Sequence, residues 1–364
     1  MKIGILTQAL HGNYGGILQN FALQKALLKM GYEPITIDRH IPRTEGFIKK
    51  AAKRILQVVK PRFDSSLLTV KQKADICRLQ KSFIDQYIIK TEPIYTQNDF
   101  DKYVSNNIMD IYIVGSDQCW RPCYSANILN YYLNFVKTGA KRIAYAASFG
   151  VDKWEYSKTE TYEIINYIKR FDAISVREKS GLSLCKEKLG VKANWVLDPT
   201  MLLGKEGFME FITTRKKDYI LSYILEESVD SIRIIENVAK KIEIKNILSN
   251  LSPATFHRED SILSHQNISI EQWLSNIYNA AFVITDSFHG AVFCILFNIP
   301  FIVKLNEVRG NTRIESLLAD FELEDCVCND VSNIKLPVFN WEKVNNHLSY
   351  RQKESWDFLE KALS

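Results

Sequence analysis

Four short segments hold side chains that can bind anions or move protons, each at the end of a hydrophobic run. In Val283-Ile284-Thr285-Asp286-Ser287-Phe288-His289-Gly290-Ala291 an apolar run stops and a helical pattern starts. Ser287, His289 and Gly290 therefore fall near a positive helix end. That environment attracts a phosphate or carboxylate, and it would depress an imidazole pKa unless an anion were bound. A lone histidine is usually structural, but this placement makes His289 a functional candidate, with Asp286 orienting the loop or capping the helix. Downstream, Arg309-Gly310-Asn311-Thr312-Arg313 adds two cations, and Arg313 reads as part of an anion pocket or as a surface helix start.

Val114-Gly115-Ser116-Asp117-Gln118-Cys119-Trp120 ends a second run. Asp117 is either an N-cap or a carboxylate able to take a proton from a sugar hydroxyl, with Trp120 placed to stack on a sugar face. After Ile174-Ser175-Val176, the Arg177 guanidinium can grip a carboxylate or phosphate bidentately, or pair with Glu178 or another acid at the surface. The first loop, Thr7 to Gln19, carries Gly12, Gly15 and Gly16 and opens a helix, so its amides can cradle an anion or a sugar. A tight turn with a polar helix cap is the plainer reading; Asn13 and Tyr14 beside the glycines favour binding. The loop is not G-x-G-x-x-G.

Each segment needs a strand to deliver it and a helix to receive the chain. Lys2 to Thr7 fits a buried parallel strand, Ile17 to Leu28 a helix stopped by Gly31, and Glu33 to Asp38 a second strand. A helical region at residues 45 to 90 precedes strands at Ile111 to Gly115, Arg142 to Ser148 and Ala173 to Val176. Val191 to Val196 reads as a strand followed by the turn Leu197-Asp198-Pro199-Thr200, where a second series begins. It runs through a strand at Tyr219 to Leu225, a helix at Ser228 to Lys241, a strand at Lys245 to Ser249 and a helix at Ile270 to Asn279. Ala281 to Thr285 (strand), Ser287 to Phe297 (helix) and Pro300 to Lys304 (strand) complete it. The expected architecture is α/β, with two Rossmann-like domains facing a cleft: 1–195 and 196–340, with the helix of 341–364 packing back on the first.

At 364 residues the chain suits two domains, and 46% hydrophobic with 24% charged residues is a globular balance. The net charge of +5 is spread out, which disfavours nucleic acid as a partner. The densest basic stretch, Lys49 to Arg62, reads as a surface helix, with peripheral membrane contact or a cover over an anionic substrate as alternatives. Seven cysteines at irregular spacing indicate reduced thiols rather than disulfides or zinc, and no H-x-x-x-H or acid triad suggests a catalytic metal or other cofactor. His11 lies in the first loop, where it could face the cleft; His40, His257, His265 and His347 have no legible chemical neighbours. The N-terminus does not read as a signal peptide and no run suffices to span a bilayer. The expected location is cytoplasmic, with the inner membrane face as a variant of it.

Taken in order, the segments resemble the polysaccharide pyruvyl transferase family. They are Asn13-Tyr14-Gly15-Gly16-Ile17-Leu18-Gln19 with Ala22-Leu23-Gln24, Gly115-Ser116-Asp117-Gln118, Ala144 to Gly150, Ser175-Val176-Arg177-Glu178, Leu197-Asp198-Pro199-Thr200, Asp286-Ser287-Phe288-His289-Gly290 and Asn311-Thr312-Arg313-Ile314. The resemblance implies a GT-B-like fold and transfer of a pyruvyl group from phosphoenolpyruvate to two hydroxyls of a lipid-linked or nucleotide-linked sugar, giving a cyclic ketal and phosphate. For that chemistry the residues offer His289 as candidate general acid and Asp117 as candidate base, with Arg177, Ser287, Gly290 and Arg313 on the donor. Asn13, Tyr14, Gly15, Gln19 and Trp120 fall on the acceptor. One family branch carries Arg-Leu-His where this chain has Ser287-Phe288-His289, so the cation comes from Arg177 or Arg313. The rival is a nucleotide-sugar glycosyltransferase, for which Glu307 and Glu315 are weak ribose-binding candidates.

Overall fold

The computed structural model describes residues 1–41, 70–137, 139–226, 228–249, 268–305, 310–328 and 330–364. The Lys49 to Arg62 stretch, His257, His265, Glu307 and Arg309 lie outside these residues. Among those described, two parallel sheets form. The larger contains β1 (Lys2–Leu6), β2 (Glu33–Thr36), β3 (Ile111–Val114), β4 (Lys141–Ala147), β5 (Ala173–Val176) and β6 (Asn194–Trp195), in the order β2-β1-β3-β4-β5-β6. The smaller contains β7 (Ile220–Tyr223), β8 (Ile247–Ser249), β9 (Phe282–Thr285) and β10 (Phe301–Val303), in the order β10-β9-β7-β8. The central strands β3, β7 and β9 are buried throughout, as apolar runs covered on both faces must be. β6 is shorter than the apolar run 191–196. The Val191 amide still bonds the Cys185 carbonyl of the preceding helix, so the chain reaches β5 only at Asn194.

Helix α1 (Tyr14–Lys29) buries nearly every face and ends at Gly31, whose φ of +83° a side chain would disfavour. Its first three turns share a core with the small sheet: Ile17, Leu18 and Phe21 cluster with Leu221, Val283 and Phe293. Each such side chain contributes about 1.5–3 kcal/mol on burial, so this shared core fixes the two sheets against each other. Helix α2 (Lys179–Leu184) follows β5, α3 (Pro199–Leu203) follows the crossing, and α4 (Val229–Ile242) follows β7. Helices α5 (Ile270–Tyr278), α6 (Phe288–Phe297) and α7 (Thr312–Asp320) flank the smaller sheet. Ten successive buried residues make α6 the central helix of this half.

The terminal helix α8 (Trp341–Leu363) touches both halves. Val344 and Leu348 join the shared core, while Leu359, Ala362 and Leu363 pack with Ile3, Ile5, Ile111 and Ile113 of the larger sheet. Midway, the Arg351 guanidinium covers the Trp195 ring at 4.4 Å and donates to Asp320 at 3.0 Å. α8 also holds the crossing segment: the Leu197 amide donates to the Ser355 hydroxyl (3.0 Å), and the Gln352 amide donates to the Met201 carbonyl (2.7 Å). No helix among the described residues is long and apolar enough to cross a membrane.

Candidate active site

The polar strand ends converge on one carboxylate. Asp198, at the crossing between the sheets, presents Oδ1 to the amide (3.0 Å) and hydroxyl (2.7 Å) of Thr200, capping α3. Its Oδ2 accepts from the Ser116 hydroxyl (2.8 Å) and from Arg177 Nη1 (2.8 Å), and lies 3.6 Å from His289 Nε2. Burial opposes ionisation of this group, but His289, Arg177 and Thr200 outweigh it and hold the carboxyl well below the usual range.

Arg177 spans two carboxylates, reaching Asp117 Oδ1 with Nη2 at 3.3 Å. Asp198 and Asp117 offset the cost of burying the guanidinium and push its pKa up, so it is a permanent cation. The second oxygen of Asp117 accepts from the Asn13 side-chain amide at 3.1 Å. Burial works against the Asp117 charge, yet Arg177 and His289 hold this carboxyl low as well. Asp117 caps no helix. Its φ is +72°, a strained region for a side chain, and its carbonyl accepts the Cys119 (2.7 Å) and Ser148 (3.1 Å) amides.

From the other half, α6 brings Phe288 and His289. The Arg177 guanidinium lies 4.3 Å from the Phe288 ring centre and that of Arg313 6.0 Å, so one aromatic ring neighbours two buried cations. Burial and the Arg177 charge lower the Arg313 pKa to about 10. The His289 ring rests on Gly15 of α1: a Cβ there would lie 2.6 Å from Cε1 and closer to Nδ1 and Cγ. Gly15 is thus needed for close approach of the halves. His289 Nε2 and Arg177 Nε are buried with no hydrogen-bond partner. Buried polar atoms of this kind are normally satisfied, so two together mark a place for a ligand with acceptor oxygens.

The structure gathers His289, Asp117, Arg177, Arg313 and Asn13 in one place, and it puts several other candidates in packing or capping positions. Trp120 has no exposed surface: its indole stacks on Tyr132 at 5.3 Å and donates to the Tyr131 carbonyl, so it lies in the core. Tyr14 stacks on Trp273 at 5.3 Å and donates to the Ile268 carbonyl, joining the halves. Gln19 is fully buried and donates to Thr7 Oγ1 and the Gly16 carbonyl. Gly15 faces His289 rather than open space. Ser287 caps α6 by accepting from the Gly290 amide (3.3 Å), and Gly290 itself is packed against Thr285 and Tyr223, so neither amide nor hydroxyl there is idle. Asp286 orients the loop after β7, accepting from the Leu225 (2.6 Å) and Glu226 (3.0 Å) amides. Sequence reasoning did not single out Asp198, Ser116 or Glu178 as site residues; the Asp-Pro N-cap in Leu197-Asp198-Pro199-Thr200 was the available signal.

A family model described as polysaccharide pyruvyl transferase matches residues 13–307. No curated protein matches the chain significantly. Among solved structures, the S. aureus MnaA–UDP co-structure is 12% identical, with 98% of this chain and 91% of that chain covered and a TM-score of 0.50. UDP-GlcNAc 2-epimerase from Neisseria meningitidis, bound to UDP-GlcNAc, is 11% identical over 100% and 99% of the two chains, with a TM-score of 0.49. The fold is α/β and GT-B-like.

Proposed function

The chain belongs to the polysaccharide pyruvyl transferase family, and on that premise we propose that it moves the pyruvyl group of phosphoenolpyruvate onto two hydroxyls of a sugar in a glycan precursor. A cyclic ketal and inorganic phosphate are the products. The observation that carries this reading is the buried set of Arg177, Arg313 and His289 about Phe288, with two nitrogens lacking partners. Phosphoenolpyruvate, with a phosphate and a carboxylate on one small carbon frame, supplies acceptor oxygens for both arginines and the imidazole.

In this reading the first sugar hydroxyl adds to the enol carbon bearing phosphate, while His289 delivers a proton to the methylene carbon, which becomes the methyl group. Asp117 takes the hydroxyl proton. Its basicity is low while it is paired with Arg177, and rises when the donor's negative charge is shared over that guanidinium. The second hydroxyl then displaces phosphate, and its proton leaves with the phosphate. Arg177, Arg313 and the start of α6 stabilise the departing charge. Asp117 and His289 exchange one proton to reset the site. Acid–base assistance of this kind supplies about 10²–10⁴-fold in rate. Asn13, exposed beside Asp117, is placed to meet the acceptor.

The test has two arms. Phosphate release is followed with phosphoenolpyruvate and a panel of galactose-, glucose- and mannose-type acceptors, with mass analysis of the product for the pyruvyl increment. Thermal unfolding is followed with phosphoenolpyruvate or a uridine diphosphate sugar. Stabilisation by the nucleotide sugar but not by phosphoenolpyruvate would overturn the reading in favour of a glycosyltransferase.

A further inference from the structure

Glu178 is a buried acid of the site to which the mechanism gives no part. It follows Arg177 at the end of β5, precedes α2, and has no exposed surface. Its Oε1 accepts the Phe149 amide at 2.9 Å from the loop after β4; its Oε2 is buried without a hydrogen bond of ordinary geometry, and the Ser148 hydroxyl lies beside the carboxyl. The charged groups acting on it are Arg177 on its own strand and Arg313 on α7, and the titratable thiol of Cys185 follows on the helix that it opens. Nη1 and Nη2 of Arg177 are already committed to Asp198 and Asp117.

Charge counting decides the state that suits an anion site. Arg177 and Arg313 balance Asp117 and Asp198, so the proton that His289 carries in the donor reading leaves one positive charge for the anion. A third ionised carboxylate would cancel that charge. A neutral carboxylic acid keeps it and adds a hydroxyl donor. Among the described residues, the oxygens of the other two acids of the site, Asp198 and Asp117, are each taken.

We propose that Glu178 acts on the donor as a neutral carboxylic acid, its Oε2 hydroxyl donating a hydrogen bond to an oxygen of the anion held between Arg177 and Arg313. This rests on the donor reading above. Burial pushes the Glu178 carboxyl up, against Arg177 and Arg313, in the direction the role requires. An acid kept protonated so that it can donate is a known device for recognising an oxyanion. Glu178 is a positioning residue for the donor, distinct from the proton carriers His289 and Asp117.

The proposal separates two substitutions that a charged glutamate would not. Glu178→Gln keeps the shape and an N–H donor without the ability to ionise; Glu178→Ala removes the donor. Binding of phosphoenolpyruvate and, separately, of inorganic phosphate is measured by calorimetry from pH 6 to pH 9, with circular dichroism as the check on folding. The Gln variant is expected to bind both within about threefold of wild type at pH 6, and the Ala variant about tenfold or more weakly. Wild-type affinity should fall as pH rises through the raised Glu178 value, and the Gln variant should lack that part of the decline. A Gln variant as weak as Ala, or one with the wild-type pH profile, overturns the proposal. If wild type binds phosphate but not phosphoenolpyruvate, the donor reading fails and the phosphate arm alone judges Glu178. If it binds neither, both fall.

Discussion

Gly15→Ala tests whether contact between the halves sets the position of His289. The added methyl would lie 2.6 Å from His289 Cε1, and closer to Nδ1 and Cγ, so the ring must retreat by roughly 1 Å or more to regain ordinary contact. Two opposing terms act on stability. Overpacking costs about 1–3 kcal/mol, whereas alanine in a helix is favoured over glycine by about 1 kcal/mol. The net loss of stability is therefore expected to be small, about 0–2 kcal/mol. Activity has no such compensation: a 1 Å displacement of a catalytic group costs on the order of 10²-fold. The assays are urea unfolding and phosphate release from phosphoenolpyruvate with an active acceptor. The expected result is near-native stability with kcat lowered about 100-fold. A variant within threefold of wild-type kcat would refute the argument that glycine is there to seat His289.

Arg177→Lys keeps a charge but reaches one carboxylate instead of two. It should abolish thermal protection by phosphoenolpyruvate and lower kcat/KM by about 10²-fold or more, read from melting curves and phosphate release. Trp120→Phe removes the indole donor to the Tyr131 carbonyl and should cost about 1–3 kcal/mol in urea unfolding while leaving the KM for the acceptor unchanged; a raised KM would restore it as a sugar platform. Asp198 and Asp117 both have carboxyls held below their unfolded value, so their stabilisation is present above about pH 4 and is lost as pH falls through the lower folded values. Unfolding free energy measured from pH 6 to pH 3 should fall less steeply in Asp198→Asn than in wild type.

The strand ends were legible because parallel strands are apolar on both faces, so the first polar residues after Val114, Val176 and Thr285 stand out. The same logic located Asp117, Arg177 and His289. Burial of individual side chains was not legible. Trp120 and Tyr14 are the residue types a sugar site uses, but the same amphipathic rings serve cores when a carbonyl is within reach of the polar tip, as Tyr131 and Ile268 provide. Asp198 looked like a turn because its importance is tertiary: its ligands include Ser116, 82 residues away, and Arg177, 21 residues away. Gly290 sits in the right motif, yet its lack of a side chain makes room for Thr285 and Tyr223.

The crossing at Asp198 also restrains how one half sits on the other. The chain passes between the halves near residues 195–203 and returns along α8, and the two passages are fastened side by side by Ser355 to Leu197 and Gln352 to Met201. The Tyr145 hydroxyl adds a third fastening, donating to the Leu197 carbonyl at 3.2 Å. Two connections riveted together add to the shared core and leave the halves little freedom to twist or slide on each other. Arg177 and Asp198 belong to one side of the crossing and His289 to the other, so any change in the seating of the halves would alter the 3.6 Å gap between His289 and Asp198 before the arginine pair.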